Sequence, residues 1–185
     1  HMEYVLAAKM RCKKLYIGIT HSDITMFGAT SEFDVNGSAK ICNPMTYLER
    51  MEMIQKAVEG FGIKKENYEI VPFPITHPEL IAQYAPKDAT YYVNVHSEWD
   101  EEKRQTLEKL GMKVEVLMQK APEDVGIRGE DVRRMMAEEE NKEWRQHVPK
   151  AVYEYIVENK IDKRIRRLNY KYMLTEAEVV KEGEA

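Results

Sequence analysis

Cysteine is nearly missing from this 185-residue sequence, which carries only Cys12 and Cys42. Two thiols so placed have neither the number nor the spacing of a disulfide framework or a zinc site, and no secretory leader precedes them, so a reducing cytoplasm is expected. Long apolar runs are missing too. None approaches the roughly 18 residues that a membrane span needs, and the mean hydropathy is -0.59, so no membrane partner is expected. Nor is there an excess of positive charge. The 28 Lys and Arg stand against 32 Asp and Glu, for a net charge of -4, which argues against a basic nucleic-acid-binding surface. Any anionic ligand must therefore be held by a local basic cluster. No Ser/His/Asp or Cys/His triad signal occurs either. What is present, 43% apolar and 32% charged residues, suffices for one well-packed domain and is short for two. The expectation is an α/β domain over residues 1–145, with 146–185 as a C-terminal helix and tail of the same domain. The sequence leaves a homo-oligomer open.

From Glu3 the pattern is helical, with Tyr4, Val5, Ala8 and Cys12 on one face. Residues 14–20 (KLYIGIT) read as a strand of the kind buried on both faces in a parallel sheet. Residues 21–43 form a polar connection containing Gly28, Asn36 and Gly37. It is too long for an ordinary loop, so it is expected to cover a bound ligand, with a loose surface excursion as the competing reading. Pro44, then Thr46 and Glu49 at capping-box spacing, start a helix through Glu59 with Leu48, Met51, Ile54, Gln55 and Val58 on one face. Gly60 and Gly62 end it. Next come a strand over 68–73, a short helix over 77–84, a strand over 89–95, an amphipathic helix over 98–110 and an alternating, edge-like strand over 113–118. Helices over 129–139 and 148–159 follow, then a basic and finally an acidic tail. Strands alternating with helices mean right-handed βαβ units in a doubly wound, mainly parallel sheet, with ligands outside the carboxyl ends of the strands. Chemistry is therefore expected in the loops after Thr20, Phe73, Val95 and Met118.

Two constellations stand out. In GIRGEDVRRMM, residues 126–136, Gly129 opens a helix with Arg133 and Arg134 on its first turns. Free N–H groups, the helix dipole and guanidinium forks could converge there on a phosphate chain, or the arginines could simply be solvated. Spacing alone leaves both readings open. In NPMTYLERMEMI, residues 43–54, a capped helix packing Leu48, Met51 and Ile54 explains everything except Arg50.

Together with KLYIGITHSD, residues 14–23, these segments resemble three successive landmarks of the nucleotidyltransferase (cytidylyltransferase-like) superfamily. They are most similar to archaeal-type nicotinamide mononucleotide adenylyltransferases, where an LxIGI-type strand precedes an NPFTxxER helix and a late SGTxVR helix. The resemblance covers residues 4–140. It implies a Rossmann-like nucleotidyltransferase fold with a C-terminal helical extension. It also implies phosphate binding by Arg50 and Arg133, and attack of one nucleotide's phosphate on the α-phosphate of a nucleoside triphosphate carrying Mg²⁺. Such transfer needs positioning and charge neutralisation more than a covalent nucleophile. The reaction implied is NMN plus ATP to NAD plus pyrophosphate. The alternatives are cytidylyl or adenylyl transfer to another phosphorylated acceptor, or a nucleotide-binding module with weak or no catalysis.

The sequence departs from that pattern in two places. Arg128 and Glu130 replace the Ser and Thr of SGTxVR, which puts a carboxylate beside the phosphates. The family's glycine-bearing first strand and HxGH turn are also missing ahead of the first helix. His1 stands where the last histidine of that turn would be, either as a remnant of the catalytic motif or as a cloning residue before Met2. The expectation is that the protein's own start lies further upstream, since a sheet without its central strand exposes edges. The catalytic candidates are His1 and Arg133. The nucleotide-binding candidates are Thr20, His21, Asp23, Arg50, Asn94, Gly126, Ile127, Arg128, Gly129 and Arg133. His21 and Asp23 qualify by position, and Asn94 by an amide able to read a base edge, against bland readings as a solvated loop and a structural hydrogen bond. His77 reads as a helix cap, Trp99 as a stacking or packing ring, and residues 138–143 as a solvated helix end.

Overall fold

The computed structural model describes residues 1–21, 44–121, 126–138 and 140–168. Two compact units emerge: one running from His1 to Gly126, the other from Ile127 onward, with Pro44 and Met45 belonging to the second.

In the first unit, helix α1, Met2–Lys9, begins at His1, whose carbonyl accepts from the amides of Tyr4 and Val5. Glu3 in its first turn and Lys9 in its last match the helix dipole. Lys9 Nζ also donates to the carbonyls of Cys12 (2.9 Å) and Lys13 (3.0 Å), closing the end of the helix onto strand β1, Leu15–Ile19. Helix α2, Tyr47–Gly60, follows the expected capping box. Glu49 N–H donates to Thr46 Oγ1 at 3.2 Å, and Thr46 N–H donates to the Glu49 carboxylate at 2.8 Å. Gly62, at φ +81°, supplies the left-handed turn that releases the chain toward β2, Tyr68–Pro72. β1 and β2 pair in parallel, Leu15 opposite Tyr68 through Ile19 opposite Pro72. Proline lacks a ladder donor and is tolerated at this strand end, where Phe73 N–H adds one more bond to Ile19 O.

The second βαβ unit repeats the scheme. β3, Thr90–Val95, leads through α3, Glu98–Lys109, to β4, Lys113–Gln119, again in parallel. Ser97 Oγ caps α3 by accepting from Asp100 N–H. The register slips between Val93 and Asn94, so that Val93 faces Val116 while Asn94 faces Met118 and Leu117 is left as a bulge. The architecture is thus α/β with parallel strand pairs, in the Rossmann-like manner. It differs from the expected continuous sheet in one respect: among the described residues β1 pairs only with β2, and β3 only with β4.

Two apolar clusters hold this unit. Ala8, Leu15, Val58 and Tyr68 join α1, α2 and the first strand pair, and Val58 is 0% exposed. Ile75, Ile81, Tyr91, Val93, Leu107 and Met112 join α3 and the second pair. Each fully buried aliphatic side chain contributes about 1.5–3 kcal/mol of transfer free energy. The packed stripe of α2 is the expected one in part: Ile54 and Val58 pack as expected, and Leu48 does not. Leu48 is 55% exposed, and the buried positions are Met53, Ala57 and Val58. With half-buried Ile54 these lie at helical spacing from Arg50, which places that charged residue on the inner face. The short helix over Pro78–Gln83 is of the 3₁₀ type, and His77 makes no side-chain cap, its Nδ1 lying 3.1 Å from Thr76 Oγ1.

The second unit holds α4, Gly129–Ala137, a 3₁₀ turn over Glu143–His147, and α5, Lys150–Glu158. The charged residues Glu138, Glu140, Lys142 and Glu143 are exposed, as expected, and just beyond them the 3₁₀ turn buries Trp144 to 2% exposure, its ring 5.5 Å from that of Tyr153. Residues 161–168, expected as a basic tail, are helical. Ile161 and Ile165, one turn apart, are both buried, and Arg166 pairs with Asp162 at 2.7 Å. Lys160, at φ +55°, separates this helix from α5. Among the described residues no helix is long and apolar enough to cross a membrane.

Candidate nucleotide site

The carboxyl end of β1 is held by Arg50. From the inner face of α2 its guanidinium reaches two main-chain carbonyls, Nη1 donating to Thr20 O at 2.7 Å and Nη2 to His21 O at 2.6 Å. The planar fork suits two carbonyls presented side by side. They lie side by side because His21 sits at φ +49°, a left-handed conformation uncommon for a residue with a Cβ. Arg50 Nε is buried and has no hydrogen-bond partner. Burial lowers the guanidinium's pKa from its very high ordinary value, against a smaller opposing effect of Tyr47, and the group stays cationic. Arg50 thus shapes the turn after β1, with two of its three nitrogens committed to the backbone.

Beside this turn lies a cavity of about 730 Å³, which brings together three of the expected site residues: His1, Thr20 and Asn94. His1 is exposed at the start of α1, and Thr20 is half-buried. The Oδ1 of Asn94 is buried without a partner, a cost of about 1–3 kcal/mol unless something in the cavity donates to it.

Sequence reasoning missed the network on the cavity's other side. Tyr4 Oη lies 2.8 Å from His96 Nε2, tying the first turn of α1 to the carboxyl end of β3. His96 Nδ1 lies 3.4 Å from Lys120 O, so a proton on Nδ1 leaves Nε2 to accept from the tyrosine. His96 N–H donates to Asp100 Oδ2 at 3.1 Å. Burial works against the Asp100 charge, but Lys103, the His96 amide and Ser97 outweigh it and hold the carboxyl below its usual range. Burial, with Glu3 and Asp100 adding to it, pushes the Tyr4 hydroxyl up. The sequence signal was a histidine directly after a parallel strand, but its partner is 92 residues away. Trp99 packs against the second apolar cluster, with Lys103 Nζ 5.7 Å above its ring.

Asp23 lies outside the described residues. Gly126 is exposed at the end of the first unit. In the second unit Ile127 and Arg128 are exposed, Gly129 opens α4, and Arg133 is half-buried. The first turn of α4 carries Glu130 and Asp131. Asp131 accepts from Arg128 N–H at 3.0 Å and pairs with Arg134 at 2.6 Å, so this helix start already holds a carboxylate. Among the described residues no group of three or more His, Cys, Asp or Glu side chains could hold a metal.

Two parallel βαβ units with a cavity reaching the carboxyl ends of their strands are the doubly wound α/β arrangement, in which ligands bind at those ends. No protein-family model matches the chain. Individual proteins do. Phosphonoformate cytidylyltransferase of Streptomyces viridochromogenes is 38% identical over 167 residues, spanning 90% of this chain and 88% of that protein. Nicotinamide-nucleotide adenylyltransferase of Thermococcus sibiricus is 31% identical over 137 residues, 71% of each chain. Its counterpart from Pyrococcus abyssi is 35% identical over 128 residues, 68% of this chain and 65% of that one. The chain belongs to the cytidylyltransferase-like nucleotidyltransferase superfamily, and its activity class is nucleotidyl transfer.

Proposed function

We propose that this protein transfers a cytidylyl group from CTP to a small acceptor bearing a phosphonate or phosphate, phosphonoformate being the first to try. The supporting observation is the 38% identity to phosphonoformate cytidylyltransferase, which runs through 90% of this chain and 88% of that one. The matches to the two adenylyltransferases span less of both partners. In the reaction an acceptor oxygen attacks the α-phosphorus of the triphosphate, the bond to the bridging oxygen breaks, and pyrophosphate leaves with the electron pair. No side chain needs to become covalently attached, and the protein's part is positioning and charge neutralisation.

The described residues offer no carboxylate cage for Mg²⁺. The ion would enter as part of the substrate, carried in on the triphosphate oxygens with its waters, as this cation commonly is. Thr20 and Asn94 border the cavity at the strand ends, where a base or ribose would lie, and the unsatisfied Asn94 carbonyl would accept from an exocyclic amine.

A second reading, adenylyl transfer from ATP to NMN, has the two archaeal relatives in its favour. Pyrophosphate release measured with CTP or ATP, each against phosphonoformate or NMN, separates the two. The proposal expects the CTP and phosphonoformate pair to lead by at least about tenfold in kcat/KM. A lead for ATP and NMN establishes the second reading, and nucleotide binding without turnover in any pair makes the chain a binding module.

A further inference from the structure

Several hydrogen-bonding groups that border the cavity at the carboxyl end of β3 are already committed. The bond between Tyr4 Oη and His96 Nε2 takes one proton, and the other ring nitrogen of His96 faces Lys120 O. Asp100, which also borders the cavity, is fully engaged. Its Oδ2 accepts from His96 N–H and from Ser97 Oγ, each at 3.1 Å, while its Oδ1 accepts from Lys103 Nζ at 2.9 Å.

Lys103 is different. An ammonium carries three donors, and this one uses a single proton on Asp100. Among the described residues nothing accepts from the other two. The group is nevertheless held in place, because its side chain is 23% exposed and Nζ sits over the ring of Trp99 as well as against Asp100. Its position is set by that carboxylate. The opposite oxygen of Asp100 takes the amide of the residue that follows β3, so the ammonium lies at the strand's carboxyl end, where ligands of this architecture bind. Arg11 and Lys14 also border the cavity, but they precede the amino end of β1 and are bonded to Ala7 O and Glu69. A sheltered, pre-oriented ammonium with protons to donate suits an anion.

Phosphonoformate bears two acidic groups, of which the phosphonate reacts and the carboxylate stands by. Resting on the cytidylyl reading above, we propose that Lys103 binds the acceptor's carboxylate, with Asp100 positioning the ammonium, so that the site selects phosphonates carrying a second acidic group. The same ammonium disfavours the acceptor of the second reading. NMN ends in a pyridinium ring of fixed positive charge, which a cation bordering the site repels.

Calorimetric titration of the full chain tests this with phosphonoformate and with carbamoylphosphonate, in which a neutral amide replaces the carboxylate at nearly the same size. The uncleavable α,β-methylene analogue of CTP is present throughout. The unaltered protein should bind phosphonoformate at least about tenfold more tightly than the amide, as loss of one charge-assisted hydrogen bond implies. Lys103→Met keeps the stem over Trp99 and should shrink that ratio to about twofold, whereas Lys103→Arg keeps the cation and should hold at least about half of it. Equal affinity of the unaltered protein for the two ligands overturns the proposal without recourse to any variant. So does a full ratio in Lys103→Met, or no binding of phosphonoformate at all. Transfer is scored separately: tight, Lys103-dependent binding of phosphonoformate without cytidylyl transfer from CTP would defeat the function proposed above and leave the carboxylate site standing.

Discussion

Replacing Arg50 by alanine removes two short, charge-assisted hydrogen bonds from the turn after β1, at 2.7 and 2.6 Å. A sheltered bond of this type contributes about 1.5–3 kcal/mol. Both are only part-buried, so water can solvate the freed carbonyls, and the pair together is better set at about 2 kcal/mol. The loss falls on a backbone that needs support, because His21 is at φ +49° and relaxes once the fork is gone. For a chain of this size 1 kcal/mol shifts Tm by about 2–4 °C, so Arg50→Ala should melt about 4–8 °C lower. Arg50→Lys keeps the charge and most of the stem but can reach only one carbonyl well, and should recover about half of that. Thermal unfolding by circular dichroism, with calorimetric titration of CTP alongside, measures both quantities. If Arg50 served only as a phosphate ligand, alanine would weaken nucleotide binding and leave Tm alone. An unchanged Tm refutes the clamp. The comparison is insensitive to buffer between pH 5 and 9, because the guanidinium stays charged throughout.

At Gly18 an added Cβ would stand 2.9 Å from Cβ and Cγ of Phe73. Gly18→Ala should therefore cost about 1–3 kcal/mol, and less in a Phe73→Ala background, which removes the Cγ contact; strict additivity in urea unfolding would show that the two do not touch. Tyr68 is 1% exposed and donates to Glu59 at 2.8 Å; burial first, then that bond and the Glu59 charge, raise its pKa to about 12. A raised folded pKa gives stability that is present below the unfolded value near 10 and lost as pH climbs toward 12. The unfolding free energy from urea titrations should accordingly fall across that window by roughly 2–3 kcal/mol, and Tyr68→Phe should abolish this part of the slope while costing about 1 kcal/mol at pH 7. An identical alkaline slope in the variant would assign it to other groups.

Short-range chemistry was what the sequence made legible. Thr46 and Glu49 announced their capping box, the β-branched runs became β1 and β3, and three separated segments pointed to the right superfamily. Long-range chemistry was not. Scoring apolar residues put Leu48 on the packed face of α2, because no hydropathy count places an arginine there. Arg50 lies inside because its fork meets carbonyls that exist only once β1 has ended in a left-handed turn. The 161–168 helix was hidden by its basic residues, of which Lys163 and Arg167 are exposed while Arg164 and Arg166 are half-buried beside Ile161 and Ile165. Likewise nothing local joins Tyr4 to His96, since that bond follows from α1 crossing between the strand pairs.

The two tryptophans of the sequence are divided between the two units, Trp99 in the first and Trp144 in the second. Their surroundings differ: an ammonium group lies 5.7 Å above the indole of Trp99, while Trp144 is almost fully enclosed beside a tyrosine. Their emission should differ accordingly, the enclosed indole toward the blue. Removing either one, as Trp99→Phe or Trp144→Phe, leaves a single tryptophan, which excitation at the red edge of the band reads apart from the tyrosines, reporting on one unit alone. Paired denaturation curves from the two variants then read directly whether the units unfold as one cooperative block or in separate steps. The protein thus carries its own optical label on each half, with no dye to attach.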